Sequence, residues 1–194
     1  MNCSSILALI FFASLIQGRA ATSTAEAEKR LRGAVEEVLA VADRVKDHST
    51  LAEKVRPILL KHINFETMTR RAVGPGWRQF TSEQQRKATQ LFTTLVIRTY
   101  SNKFTPGEHP AINYKAAVSP APGRVDVPTT LLYQGSHYSV TYRMEQESSL
   151  RVVDVVIEGV SMIANYRSQL DAQFKRGGAS AAIASLEQSV AHPQ

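Results

Sequence analysis

The sequence is poor in the residues that carry most metal binding and nucleophilic catalysis. It contains one cysteine, Cys3, and no HExxH or CxxC motif. Its histidines lie far apart and offer no metal-ligand spacing; they are His48, His62, His109, His137 and His192. Because Cys3 lies near the amino terminus, the rest of the chain has neither a disulfide nor thiol chemistry. We therefore expect no metal, no cofactor and no catalytic residue.

Charge of one sign is not concentrated in any part of the chain. Lysine and arginine number 23 against 17 aspartate and glutamate residues, which gives a net charge of +6. The two signs are interleaved, as in the segment EAEKRLRGAVEEV at residues 26–38. This pattern does not form the cationic stripe of a nucleic-acid binder, so no nucleic-acid partner is expected. A moderately basic surface can still face an anionic membrane or an acidic protein.

The one long hydrophobic run, ILALIFFASLI at residues 6–16, is too short to span a bilayer as a helix. Small residues follow at Gly18 and Ala20, as signal peptidase prefers. We predict that residues 1–20 are a signal peptide cleaved after Ala20 and that residues 21–194 form a single domain, with its core at about residues 30–190. An uncleaved amino-terminal anchor is the alternative interpretation.

The first half of the chain shows helical periodicity. Apolar residues recur every three or four positions from Leu31 to Val45 and again over residues 51–63. A short helix is expected from Asn64 to the glycines after Val73. Thr81 followed by Gln84 forms a capping box that opens a long amphipathic helix.

The second half begins with strand periodicity. Apolar residues alternate with polar ones near residues 112–118, 125–131 and 138–144, and short turns separate these segments. The next segment, residues 150–157, is apolar on both faces apart from Asp154, so we expect it to be central or covered on both sides. The pattern predicts a four-stranded antiparallel meander.

Helices are expected again after this sheet. Ser161 is a plausible helix N-cap, and Gly177-Gly178 ends that helix before a last one begins. The predicted fold class is therefore α+β, with a four-stranded antiparallel sheet packed against several helices.

Asp154 is the best candidate for acid–base chemistry, because it is the lone carboxylate of an apolar strand. Small cone-shaped α+β enzymes use such an aspartate as a general base. The alternative is that Asp154 pairs with an arginine such as Arg167, or lies at the sheet edge. No second acid or oxyanion donor accompanies it, so the enzyme interpretation is the second hypothesis and not the first.

Three stretches resemble one protein family. They are PILLKHINFETMTRRAVGPGW (57–77), SEQQRKATQLFTTLVIRTY (82–100) and VVDVVIEGVSMIANYRSQL (152–170). They are similar to the MlaC/toluene-tolerance family of periplasmic phospholipid-binding proteins, most sharply in the D-V-x-x-E-G-x-S-x-x-x-N-Y-R-S-Q run that starts at Asp154. The similarity covers roughly residues 51–186. RGGASAAIASL, at residues 176–186, resembles the hopanoid-associated branch of that family.

The resemblance implies a periplasmic lipid carrier, not an enzyme. Such a carrier holds acyl chains in an apolar cavity between sheet and helices, and it shuttles lipid between outer- and inner-membrane components of an ABC-type transport system. The implied partners are a phospholipid or related lipid, an inner-membrane ABC transporter complex and an outer-membrane lipoprotein complex. We expect a monomer. A non-lipid adaptor that docks on a membrane complex through its basic face is a third hypothesis.

The residues expected to contact lipid are aliphatic or aromatic side chains on the strands and helices that would enclose the cavity. They are Phe65, Trp77, Leu91, Phe92, Leu95, Tyr100, Val127, Leu131, Val140, Tyr142, Val153, Val155, Ile157, Val160, Ile163 and Tyr166. Three polar residues next to them, Asn165, Arg167 and Gln169, are interpreted as structural hydrogen-bonding groups and not as headgroup ligands.

Overall fold

The structure, a computed structural model, describes residues 14–192, with side chains from Thr24 onward. The helices are α1 (Ser14–Ala42), α2 (His48–His62), α3 (Phe65–Val73), a 3₁₀ turn (Gly74–Gln79), α4 (Ser82–Ser101) and α5 (Met162–Ala191). The strands are β1 (Ala111–Tyr114), β2 (Val118–Ala121), β3 (Arg124–Tyr133), β4 (Ser136–Gln146), β5 (Leu150–Ile157) and β6 (Val160–Ser161). The α+β class is confirmed.

Residues 1–13 of the predicted signal peptide lie outside the described residues. The backbone of its residues 14–20 belongs to α1. Within residues 14–192, no helix is both long enough and apolar enough to cross a membrane.

The sheet has six strands, so the prediction of four was too low. The first predicted strand is in fact β1 and β2, which both pair with β3. Pro128 of β3 explains the break: its carbonyl accepts the Lys115 N–H at 2.9 Å, but proline has no N–H to return. The sixth strand, β6, pairs with β5 after a turn in which Glu158 and Gly159 both have positive φ, +49° and +78°. Such two-residue turns suit the twist of antiparallel strands.

The strand β5 lies between β4 and the two-residue β6. Along the part of its edge that β6 leaves open, the Asn64 N–H donates to the Val152 carbonyl at 2.8 Å, and Ile63 forms an isolated bridge with Val152. The junction of α2 and α3 therefore covers this edge, which otherwise would expose unpaired backbone groups.

The predicted helix starts are confirmed. Thr81 Oγ1 accepts the Gln84 N–H at 3.2 Å, and the Gln84 side chain accepts the Thr81 N–H at 2.9 Å, so the capping box is complete. Ser161 caps α5 by accepting the Ala164 N–H at 3.0 Å. The glycines Gly177 and Gly178 break α5 with non-helical backbone angles, as their position in the sequence predicted.

The core consists of two hydrophobic clusters. The helix cluster lies among the end of α1 and α2, α3, α4 and α5, and its largest fully buried members include Phe92 and Met68. The sheet cluster forms where α1 packs on one face of the sheet; its buried members are Ala27, Leu31, Val125, Val127, Met144, Leu150 and Val152. Ile63 and Val155 pack against both clusters, so they mark the junction between them.

Asp154 anchors α5 to the sheet. The residue is 6% exposed, and its carboxylate accepts hydrogen bonds from Arg143 Nη1 (3.1 Å), Ser161 Oγ (2.7 Å) and the Ile163 N–H (3.2 Å). Its arginine partner is therefore Arg143 of the neighbouring strand, and not Arg167 as the sequence had suggested. Three donors on one buried carboxylate fix where the last helix begins.

We expect Asp154→Asn to lower the free energy of unfolding by about 2–4 kcal/mol, because it leaves the half-buried Arg143 and the helix start without a full acceptor. Urea denaturation measures this change. Asp171→Asn is the matched control, since the Asp171–Lys175 pair (2.6 Å) lies on the surface and should contribute less than about 1 kcal/mol. Equal losses in the two variants would contradict the anchoring role.

Candidate functional site

One face of the sheet gathers most of the strand residues expected to contact lipid. In the observed register Val127, Tyr142 and Val155 lie side by side, as do Val140, Ile157 and Val160, and Leu131 lies opposite Tyr138. Residues directly opposite in a sheet point to the same face. We call this the apolar face; its members are Val125, Val127, Leu131, Tyr138, Val140, Tyr142, Met144, Val152, Val155, Ile157 and Val160.

A bulge changes one position of this face. The register between β4 and β5 shifts next to Met144, so that Val152 lies opposite Met144 and Asp154 opposite Arg143. Val153 is the extra residue of the bulge. Simple alternation would place Val153 on the same face as Val155 and Ile157, but in the structure Val152 takes that place.

The opposite face is charged. Arg124 Nε lies 3.3 Å from Asp126, and Arg143 lies 3.9 Å from Asp126 and 3.1 Å from Asp154. This row of ion pairs crosses the middle of the sheet on the side away from the apolar face, because Asp126, Arg143 and Asp154 lie opposite one another in the register. The fixed charges of these strands are thus kept off the apolar face.

Helix α1 covers only one end of the apolar face, where Val125, Met144 and Val152 are buried in the sheet cluster. At the other end Leu131 and Ile157 are half-buried, while Tyr138 is 38% and Val160 61% exposed. We call these four residues the apolar lip. An exposed apolar set that continues a buried core is typical of a binding surface.

The predicted residues on helices form a second group. Phe65, Phe92, Leu95 and Ile163 are buried in the helix cluster, and Leu91, Tyr100 and Tyr166 pack against it half-buried. Phe92 and Tyr166 make an edge-to-face contact with ring centroids 5.0 Å apart. This group meets the apolar face at Val155, which packs against both clusters.

Burial raises the pKa of three tyrosines in these two groups. It raises the pKa of Tyr142 to about 12, with a smaller contribution from Tyr114. Burial also raises the pKa of Tyr100 to about 12, helped by Tyr166 and Asp154, and it raises the pKa of Tyr166. An uncharged phenol in apolar surroundings is compatible with contact to hydrocarbon.

Trp77 also packs half-buried against the helix cluster. It stacks on Phe80 with centroids 5.5 Å apart and lines a surface hollow of about 470 Å³. We call it the arginine hollow, because three arginines line it. Its other lining residues are Arg70, Gly74, Pro75, Arg78 and Arg167. An adjoining hollow of about 320 Å³ is lined by Pro75, Ala164, Arg167, Ser168 and Asp171. No strand residue lines either hollow, so the cavity expected between sheet and helices stays a prediction.

Two features were missed at the level of sequence. Tyr138 belongs to the apolar lip but is not among the residues expected to contact lipid. Its alternation with Val140 and Tyr142 was the sequence signal for it. The arginine hollow had no such signal, because its residues come from α3, the 3₁₀ turn and α5. Within the described part of the chain, no group of three or more His, Cys, Asp or Glu residues is arranged to hold a metal.

Comparison with known proteins identifies the family. Residues 32–188 match the family described as MlaC protein. The chain also superposes on the solved structure of a phospholipid-binding protein from Ralstonia solanacearum in complex with a phospholipid, with a TM-score of 0.78 and 26% sequence identity. That match covers 85% of this chain and 97% of the other. No curated protein sequence matches the chain significantly.

The chain belongs to the MlaC family. The match spans the helix cluster, the whole sheet and nearly all of α5, so it includes the apolar lip and the arginine hollow.

We expect the protein to lose stability as pH rises from about 10 to 12. Because the pKa of Tyr142 is raised from 10.0 to about 12 in the folded state, its contribution is fully present below pH 10 and is lost towards pH 12. Unfolding followed by circular dichroism at several pH values measures this decline. Tyr142→Phe should reduce this decline without abolishing it, because burial also raises the pKa of Tyr100 to about 12. A slope equal to that of the unaltered protein would contradict the assignment.

Proposed function

We propose that the protein is a periplasmic carrier that binds the acyl chains of a phospholipid between the apolar face of the sheet and the helix cluster. The main support for this proposal is the apolar lip, because it continues a buried apolar surface to the outside of the protein. Membership of the MlaC family and the similarity to a phospholipid-bound protein support the same conclusion.

The energetics of lipid transfer require such a surface. Each methylene moved from water into an apolar site contributes about 0.8 kcal/mol, so two chains of about sixteen carbons resist exposure to water by ~25 kcal/mol. A carrier can load and unload at a membrane only if its interior is nearly as apolar as the bilayer. Fixed charges inside would raise the cost steeply. The apolar face meets this requirement, since Asp126, Arg143 and Asp154 lie on the opposite face.

Lipid entry requires the two clusters to separate. Phe92 and Val127 are fully buried, so a chain cannot enter at those positions without displacing protein atoms. The clusters meet through the half-buried Ile63 and Val155, and the apolar lip opens the face to solvent nearby. We propose that acyl chains enter past the lip and insert at this junction, where they displace the fewest buried side chains.

Catalysis by Asp154 is the weaker hypothesis because of the hydrogen bonds of its carboxylate. A general base needs an oxygen directed at its substrate. Both oxygens of Asp154 already accept hydrogen bonds from the protein, namely from Arg143, Ser161 and the Ile163 N–H. We therefore propose binding without turnover.

The proposal includes the setting of the transport. The apolar run and small residues of the predicted signal peptide support export to the periplasm. The family supports exchange of lipid with an inner-membrane ABC transporter complex and an outer-membrane lipoprotein complex. Phospholipid is the proposed cargo, and the hopanoid-related lipid suggested by residues 176–186 stays a prediction from the sequence.

Organic extraction and mass spectrometry of the protein purified from a bacterial host should yield close to one bound phospholipid per chain. A hopanoid in the extract would instead identify that cargo. Protein without any lipid would contradict the carrier proposal and favour the adaptor hypothesis.

Val160→Asp should reduce the bound lipid several-fold, because it places a charge on the lip where acyl chains enter. Val118→Asp is the matched control: Val118 is a similarly exposed strand valine, 52% against 61%, on β2 and outside the lip. Lipid content is compared by mass spectrometry after circular dichroism has shown that both variants fold. Equal lipid content in the two variants would contradict entry past the lip.

A further inference from the structure

The arginine hollow brings together three cationic side chains that are distant in the sequence. Arg70 comes from α3, Arg78 from the 3₁₀ turn and Arg167 from α5, and all three line the same space of about 470 Å³. Arg167 also lines the adjoining hollow, so this residue is shared by the two. None of these residues belongs to the apolar lip.

These arginines lack anionic partners among residues 24–192. None of the three forms an ion pair there, and Arg70 makes one long hydrogen bond, 3.4 Å from Nη2 to Thr67 Oγ1. Arg71, the next residue in the chain, shows the contrast, because it pairs with Glu145 at 2.6 Å. Asp171 is the one acid among the described residues lining the two hollows, and Lys175 already pairs with it at 2.6 Å.

The fold places Arg167 across the turn at the end of α3. Gly74 has φ of +73°, and a Cβ there would lie 3.0 Å from Arg167 Nε. A side chain at this position would therefore push the guanidinium away. The same turn packs closely against α5 at Gly76. A Cβ added there would lie 2.9 Å from the Phe174 ring, so only glycine fits.

The chemistry of the hollow suits one class of anion. Like charges around a shared space repel one another, so an anion in that space stabilises the arrangement. The planar guanidinium donates pairs of hydrogen bonds that match the oxygens of a phosphate group. Trp77 adds a half-buried aromatic wall with a single N–H donor, a type of side chain common where an apolar surface meets a polar one.

We propose that the arginine hollow is a binding site for a phosphate group, supplied either by the headgroup of an anionic phospholipid at a membrane surface or by free phosphate. Arg167 is then a ligand-binding residue, and not the structural hydrogen-bonding group that the sequence suggested. The site shares no residue with the apolar lip, so the proposal does not depend on acyl-chain binding there.

Trp77 provides a direct measurement, because it is the only tryptophan of the chain and lines the hollow. Its fluorescence is recorded during titration of the full-length protein with inorganic phosphate. Parallel titrations use phosphatidylcholine vesicles with and without phosphatidylglycerol. A saturable change with inorganic phosphate identifies free phosphate as a sufficient ligand. A change only with phosphatidylglycerol vesicles identifies the headgroup as the source.

The variant R70Q/R78Q/R167Q should weaken binding by about tenfold for each arginine removed, since each contributes charge-assisted hydrogen bonds. The matched control R44Q/R86Q/R176Q removes the same charge at exposed arginines outside both hollows and should bind like the wild type. R70K/R78K/R167K keeps the charge but loses the planar guanidinium groups. Its affinity for phosphate should therefore lie between those of R70Q/R78Q/R167Q and the wild type.

The proposal is overturned if neither ligand gives a saturable change, or if the hollow variant and its control respond alike. Bound acyl lipid is measured in the same proteins by extraction and mass spectrometry. The hollow variant should keep its lipid, so a loss of phosphate binding and a failure of the carrier function give different results.

Discussion

The alternation of side chains along β3, β4 and β5 is the constraint on which the rest of the molecule depends. Because strand residues alternate between faces, a shift of register by one residue would exchange the apolar face with the charged one. Turns with two positive-φ residues fix the register on both sides: Gln134-Gly135 between β3 and β4, and Glu158-Gly159 after β5. Asp154 adds a third constraint, because its bonds to Arg143 and Ser161 tie β4, β5 and α5 together.

Several consequences follow from this separation of faces. The apolar face can meet α1 at one end and the helix cluster at Val155, while the ion pairs of Asp126 and Arg143 remain on the other side. The half of the apolar face that α1 does not cover ends in the lip. The exposure of Tyr138 and Val160 at this end fits the proposed entry of acyl chains past the lip.

Local signals predicted much of the fold, and distant contacts account for what was missed. Thr81 and Ser161 cap helices through residues three positions away, so their roles are visible in the sequence. The division of the first strand depends on Pro128, which lies in a different strand and removes one donor from the ladder. The bulge at Val153 and the choice of Arg143 over Arg167 depend on the register of β4 against β5. Alternation alone contains no information about that register.

The same distinction separates the two candidate sites. The lip was largely predictable, since Leu131, Ile157 and Val160 follow from alternation and from the resemblance to a lipid-binding family. The arginine hollow depends on how α3 and α5 pack across the Gly74–Gly76 turn, and no sequence pattern joins Arg70 to Arg167. The two surfaces also differ in physical character, because acyl chains are held by burial and a phosphate group by charge. The two proposed roles therefore use separate surfaces, the lip for acyl chains and the hollow for a phosphate group.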